Sequence, residues 1–109
     1  MNPGDAFEML DLRVGRVVRA EANTRARKPS YRLWIDFGPR GEKTSSAQLT
    51  ARYTPEQLTG RLVVAAVNLG ERNIAGFVSQ VLVLGVPDAS GETVLLAVEQ
   101  EVPPGGRVY

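Results

Sequence analysis

The densest group of reactive side chains in the sequence is a cationic run over residues 25–32. This run holds four cations, Arg25, Arg27, Lys28 and Arg32, and no acid. Guanidinium groups pair with phosphate or carboxylate oxygens and stack on flat rings. The run therefore predicts a surface for an anionic partner. The alternative is a loop whose charge only keeps it in water.

Side chains that commonly carry catalysis are absent or isolated. The 109 residues include no His and no Cys, so the usual general base, thiol nucleophile and soft metal ligands are missing. Only Glu99 and Glu101 lie close together among the acids. Residues 38–44 look like a phosphate-binding loop because they contain spaced glycines and a terminal Lys-Thr. Glu42 stands directly before Lys43, however, where such a loop needs Gly, so we interpret these residues as a hairpin turn. We expect no enzymatic activity, no catalytic residue, no metal and no cofactor.

Trp34 is a candidate recognition residue of a different kind. It alternates with apolar neighbours and so lies on the polar side of its predicted strand, beside Arg32. Such a Trp is a stacking platform, part of a protein interface or a residue that closes the end of the core. We favour the interface, because Trp is enriched where protein surfaces meet.

Short strands and two short helices must position these side chains. Asp5 is the predicted N-cap of a helical turn over residues 6–10, and residues 54–60 carry a capping box with Pro at the first helical position. Gly15 is the predicted bend or bulge of a long first strand. Alternating or β-branched apolar patterns predict strands at 12–22, 31–37, 42–49, 62–67, 78–84 and 94–98.

This order of elements predicts an all-β protein with one domain over residues 1–109. A short helix between strands 3 and 4 is typical of the OB-fold, a Greek-key barrel, here with short terminal extensions. No apolar run reaches the roughly 18 residues of a membrane span. Met1–Leu10 carries acids and no basic side chain, so we expect no signal peptide. The absence of Cys fits the cytoplasm, the location we expect.

Several motifs resemble the tRNA-binding-domain family. Asp11–Val17 is similar to the opening strand of that family, and Asn68-Leu69 with Ile74–Gln80 is similar to its Asn-Leu and Gly-x-x-Ser motifs. More specific strings, at residues 26–29, 35–38, 45–50 and 53–58, resemble the CsaA branch, whose members are free-standing, dimeric chaperones of protein export. The resemblance covers nearly the whole chain.

The resemblance implies a homodimer with residues 1–11 and about 86–109 as dimerisation extensions. It implies binding of unfolded or preprotein chains, assistance to secretion and contact with the secretion machinery. Because no apolar run is long enough to span a membrane, we also expect no membrane insertion. The broader family also binds tRNA through its shape. The nucleic-acid-binding candidates are Arg25, Arg27, Lys28, Arg32, Arg72, Ser79 and Leu82. The candidates for peptide binding or the dimer interface are Phe7, Leu10, Trp34, Phe77, Val102 and Tyr109.

One departure from the family pattern weakens the expectation of tRNA binding. Asn73 and Ile74 occupy much of the usually Lys-rich stretch, Arg72 alone keeps a charge there, and Leu82 stands where relatives have Met. Phosphate contacts supply most nonspecific affinity for nucleic acid. The first hypothesis is therefore a chaperone, the second is a tRNA-binding module, and the third is a subunit-docking module. The Ser79 hydroxyl either contacts RNA or bonds to backbone within its strand.

Overall fold

The computed structural model describes residues 1–109, in which strands predominate and the helices are short. No helix is both long and apolar enough to cross a membrane. The elements in chain order are α1 (Pro3–Met9), β1 (Leu12–Ala22), β2 (Tyr31–Asp36), β3 (Glu42–Ala47), α2 (Pro55–Leu58), β4 (Leu62–Ala66), β5 (Arg72–Ile74), β6 (Phe77–Ser79), β7 (Leu82–Val83), β8 (Gly85–Pro87) and β9 (Thr93–Leu95).

Five strands form one antiparallel sheet in the order β3-β2-β1-β4-β7. The sheet nearly closes on itself, because the N–H groups of Gln80 and Val81 donate to the Thr44 carbonyl on the opposite edge at 2.8 and 3.2 Å. Two hairpins, β5–β6 and β8–β9, complete the barrel. The predicted all-β barrel of the OB-fold type, with its helix between the third and fourth strands, is confirmed.

The barrel core follows from the alternation along β2 and the residue directly after it, Phe37. Tyr31, Leu33, Ile35 and Phe37 are all buried, whereas the residues between them are partly exposed, as the period-2 pattern predicts. Leu58 of α2 is fully buried and packs into the same cluster. The apolar face of β2 therefore provides the centre of the core.

The predicted irregularity in β1 exists, but its predicted position was wrong. The register with β2 shifts between Val17 and Arg19, not at Gly15. Gly15 serves a different purpose: a Cβ there would lie 2.5 Å from Ile35 Cγ2 and 2.7 Å from Phe37 Cε1. The strand needs Gly at this position because the Phe37 ring packs directly against its backbone.

The two helices differ in how well their caps were predicted. The capping box of α2 is confirmed, with Thr54 and Gln57 exchanging hydrogen bonds. The predicted cap of α1 was wrong: Asn2 caps it by accepting from Asp5 N–H at 3.0 Å, so Asp5 lies in the first turn. Pro3 is favoured at the first helical position, which moves the start three residues earlier.

Two predicted core strands also need correction. Residues 78–84 do not form one strand, because β6 pairs with β5 and β7 pairs with β4. The break comes at Gln80 and Val81, whose N–H groups bond to β3. The strand predicted at 94–98 is only Thr93–Leu95, since its partner β8 spans just three residues.

Candidate cleft for an anionic or polypeptide ligand

A cleft of about 830 Å³ lies between the β1–β2 loop and the β5–β6 hairpin, next to the end of β3. Of its 17 lining residues, seven are hydrophobic, among them Leu49, Ile74, Leu82 and Val83. None is acidic and none is aromatic. The cleft thus combines an apolar lining with polar and cationic side chains.

Four cations from distant parts of the sequence converge on this cleft. Arg25, Arg27 and Lys28 come from the β1–β2 loop, and Arg72 comes from β5. All four are exposed, and none lies within salt-bridge distance of a carboxylate. The cations that do form ion pairs are Arg13, Arg16, Arg19, Arg32, Arg40, Arg52 and Arg107. The cleft therefore carries uncompensated positive charge.

Asn23 joins the two sides of the cleft. It is only 4% exposed, and its side-chain amide donates to the Ile74 carbonyl at 3.3 Å. Its Oδ1 accepts from the backbone N–H of Arg25 at 3.1 Å and from Arg32 Nη2 at 3.3 Å. The amide thus holds the cationic loop at a set distance from the β5–β6 hairpin.

The β5–β6 turn provides a platform for Arg25. Ala75 and Gly76 both have positive φ, 50° and 83°, as a two-residue hairpin loop of type I′ requires. A Cβ on Gly76 would lie 3.1 Å from Arg25 Nη1, so the guanidinium rests against the turn where Gly leaves room. Asn73 stabilises the turn by accepting from Gly76 N–H at 2.9 Å.

Ser79 and Leu82 both line the cleft, but the Ser79 hydroxyl is hydrogen-bonded to backbone whereas the Leu82 side chain is exposed. Ser79 Oγ accepts from Ser46 N–H at 2.9 Å and donates to the Val81 carbonyl at 3.3 Å. These bonds match the backbone role that was the alternative for Ser79, although the residue also borders the cleft. Leu82 is 51% exposed and offers apolar surface to a ligand.

Arg32 does not join the other cations in the cleft. Its guanidinium lies 5.5 Å from the Phe77 ring centre, and its Nη1 lies 3.9 Å from a Glu21 carboxylate oxygen. The alternation of β2 turns this side chain to the outer face of the sheet. Of the seven nucleic-acid candidates, six line the cleft and Arg32 alone lies outside it.

Trp34 and Phe77, two of the predicted interface residues, contact each other. Their ring centres are 5.4 Å apart in an edge-to-face arrangement. Arg19 lies 4.3 Å from the centre of the Trp34 ring and so occupies one of its faces. Trp34 is partly exposed, and its role in an interface stays a prediction.

The remaining interface candidates lie at the two ends of the chain. Helix α1 has no buried residue, and Phe7 is 43% exposed, whereas Leu10 and Val102 are half-buried. Tyr109 is fully exposed. Arg107 holds the end of α1 by donating to the Glu8 carbonyl at 2.7 Å. The C-terminal segment and α1 are therefore neighbours.

Asp88 stabilises the β8–β9 turn near the cleft. The hydrogen bond from Arg52, together with the N–H groups of Glu92 and Ser90, holds the pKa of Asp88 below its ordinary value. Thr93, which follows this turn, lines the cleft. No group of three or more acidic, His or Cys side chains is arranged to hold a metal ion.

Sequence reasoning identified the cationic loop but missed Asn23. The available signal was an Asn at the start of that loop, two residues before Arg25, where Asn side chains commonly accept from the backbone. Ser30 and Ser46 were also missed as lining residues. Neither Ser has a sequence pattern that distinguishes it from other surface serines.

Comparison with known proteins shows similarity to one family model and to solved structures that match over the whole chain. The family model described as "Putative tRNA binding domain" matches residues 12–107. The crystal structure of chaperone CsaA from Bacillus anthracis is 50% identical, with a TM-score of 0.92, and 100% of this chain and 99% of that chain are covered. CsaA from Picrophilus torridus is 36% identical, with the same TM-score and 100% of both chains covered.

Longer proteins contain a similar segment. The methionine–tRNA ligase of Archaeoglobus fulgidus is 39% identical over 102 residues, which are 94% of this chain and 15% of the ligase. This chain therefore spans about 15% of the length of such ligases.

Proposed function

Because this chain belongs to the tRNA-binding-domain family, we propose that it acts as a CsaA-type chaperone without catalytic activity. It binds segments of unfolded or preprotein chains in the cleft and assists protein export. The observation that carries the proposal is the lining of the cleft, in which the exposed Leu82 and the half-buried Ile74 and Val83 lie among unpaired cations.

The physical basis of the proposal is the burial of apolar surface. A chain segment that covers Ile74, Leu82 and Val83 removes apolar surface from water, which contributes roughly 25 cal/mol per Å². No aromatic ring lines the cleft, so it lacks the aromatic stacking platform that is typical of grooves for single-stranded nucleic acid. The likeness to two chaperones over the full length of both chains also supports a polypeptide ligand.

A cytoplasmic homodimer that contacts the secretion machinery belongs to the same proposal. Helix α1 buries none of its side chains in the monomer, and exposed apolar residues lie on it and at the C-terminus. Apolar surface of this kind is stabilised when a second subunit covers it. The proposed dimer contacts are Phe7, Leu10, Trp34, Phe77, Val102 and Tyr109.

Two assays test the chaperone proposal. One measures suppression of client aggregation, and the other measures direct binding of a labelled unfolded polypeptide. The Leu82→Ser variant removes apolar surface from the cleft, and Leu69→Ser is a matched control because Leu69 is 57% exposed but does not line the cleft. We expect Leu82→Ser to weaken binding about fivefold or more and Leu69→Ser to leave it unchanged. Equal binding by all three proteins contradicts the proposal.

A second candidate function, tRNA binding, is favoured by the four unpaired cations Arg25, Arg27, Lys28 and Arg72. If each contacts one phosphate, the logarithm of affinity falls with the logarithm of salt concentration with a slope of about −3 to −4. Titration of labelled tRNA at several salt concentrations measures that slope. Tight binding with such a slope, beside weak binding of unfolded polypeptide, makes tRNA the principal ligand.

A further inference from the structure

We infer that the cleft selects chain segments in which apolar side chains alternate with carboxylates, and that it disfavours segments rich in Lys or Arg. This inference rests on the proposed function, because it specifies which part of an unfolded polypeptide the cleft holds. It concerns the chemistry of the bound segment only, and the proposed function stands without it.

The first support is the distribution of paired and unpaired charge. Six of the 13 cations form no ion pair, and four of these, Arg25, Arg27, Lys28 and Arg72, line the cleft. Paired cations elsewhere have carboxylate partners from the same chain. The cations of the cleft have no such partner in the structure, and no acidic residue lines the cleft, so a ligand can supply the carboxylates.

The acids nearest in sequence do not line the cleft. Glu71 precedes Arg72, but its carboxylate accepts a hydrogen bond from Gln80 Nε2 at 3.2 Å. Glu92 precedes Thr93, yet it lines a smaller pocket that adjoins the cleft at Lys28. The positive field of the cleft is therefore not neutralised by carboxylates within its lining.

The second support is the arrangement of apolar and charged lining. Successive side chains of an extended segment point to opposite sides. A segment with its apolar side chains on Ile74, Leu82 and Val83 directs the alternate side chains away from that surface, which leaves them free to pair with the exposed Arg27 and Lys28 of the same cleft. Carboxylates at alternate positions complement this charge, whereas ammonium or guanidinium groups are repelled.

Three short peptides with identical apolar residues test the inference directly. Two alternating positions carry Glu, Gln or Lys, and binding of each fluorescent peptide is measured by anisotropy at low and high salt. We expect the Glu peptide to bind roughly tenfold more tightly than the Lys peptide at low salt, with the Gln peptide between them. The differences shrink at high salt because exposed charges are screened.

Two double variants with the same change in net charge locate the effect. Arg27→Ser with Lys28→Ser removes two cations of the cleft, and Lys43→Ser with Arg61→Ser removes two unpaired cations outside it. We expect the first pair to abolish the preference for Glu and the second pair to retain it. Loss of the preference in both variants assigns it to net charge and overturns the inference.

The outcomes separate this inference from the proposed function. If the Gln peptide binds in the cleft and the Glu peptide binds no more tightly, the inference is wrong and the chaperone proposal stands. If no peptide binds and unfolded polypeptide is also not bound, both are wrong. A Glu preference that disappears only in the Arg27→Ser, Lys28→Ser variant supports the inference.

Discussion

Replacement of Asn23 by Ala removes the side chain that joins the two sides of the cleft. The amide makes three hydrogen bonds, with the Ile74 carbonyl, the Arg25 N–H and Arg32 Nη2, at 3.1 to 3.3 Å. We expect Asn23→Ala to destabilise the fold and to weaken binding in the cleft together. Stability falls because partly buried polar groups lose their partners, and binding falls because the cationic loop is no longer held beside β5.

The magnitude follows from the number of bonds and their burial. A hydrogen bond contributes about 0.5–1.5 kcal/mol net to stability, and a buried group left without a partner costs about 1–3 kcal/mol. Asn23 is 4% exposed, so water cannot readily replace its amide. We therefore expect a loss of about 2–3 kcal/mol in the free energy of unfolding, and a decrease in Tm of about 10 °C or more.

Urea unfolding measures the first effect, and titration with a labelled unfolded polypeptide measures the second. Asn68→Ala is the matched control, because Asn68 also bonds two backbone groups, Asp11 N–H at 2.9 Å and the Met9 carbonyl at 2.8 Å, but is exposed and lies outside the cleft. We expect the control to cost about 1 kcal/mol and to leave polypeptide affinity unchanged. A loss under about 0.5 kcal/mol for Asn23→Ala, with unchanged affinity, would refute the reasoning.

Three further predictions concern the barrel itself. Gly15→Ala places a methyl group against Phe37 and should cost about 1–3 kcal/mol in urea unfolding, whereas an unchanged midpoint contradicts the close packing. Thr54→Ala removes the capping bond to Gln57 N–H and should cost about 1 kcal/mol, measured in the same way. Asp88→Asn should destabilise the protein at neutral pH. Because the pKa of Asp88 is lowered in the folded state, its contribution is present in full above the ordinary value of 3.8 and is lost as the pH falls from there through the lowered pKa. Unfolding of both proteins over a pH series should show the difference disappearing in acid, and a difference independent of pH would exclude an ionic role.

Local patterns predicted the parts of the fold that depend on neighbouring residues. The alternation from Tyr31 to Phe37 predicted a strand with one buried face, and the Thr54–Gln57 capping box predicted the start of α2. Both patterns act within a few residues. The convergence of six predicted site residues on one cleft also follows from the OB-fold order of elements, although their role stays a prediction.

Features that depend on distant contacts were not predictable in this way. The division of residues 78–84 between β6 and β7 results from hydrogen bonds to Thr44, which lies on a different strand. The contribution of Asn23 depends on Ile74, which is 51 residues away in the sequence. The position of the bulge in β1 depends on the pairing with β2. Gly15 wrongly indicated that position, because a glycine is needed there for the close packing of Phe37 and not for a bend.

The most direct test of the central claim is NMR mapping of an unfolded polypeptide on the isotopically labelled protein. If the cleft is the binding site, the largest chemical-shift changes fall on its lining, in particular on residues 25–28, 46–49 and 72–75. Changes concentrated instead on α1 and the β8–β9 hairpin, with the cleft unaffected, would contradict the claim that this cleft holds the polypeptide.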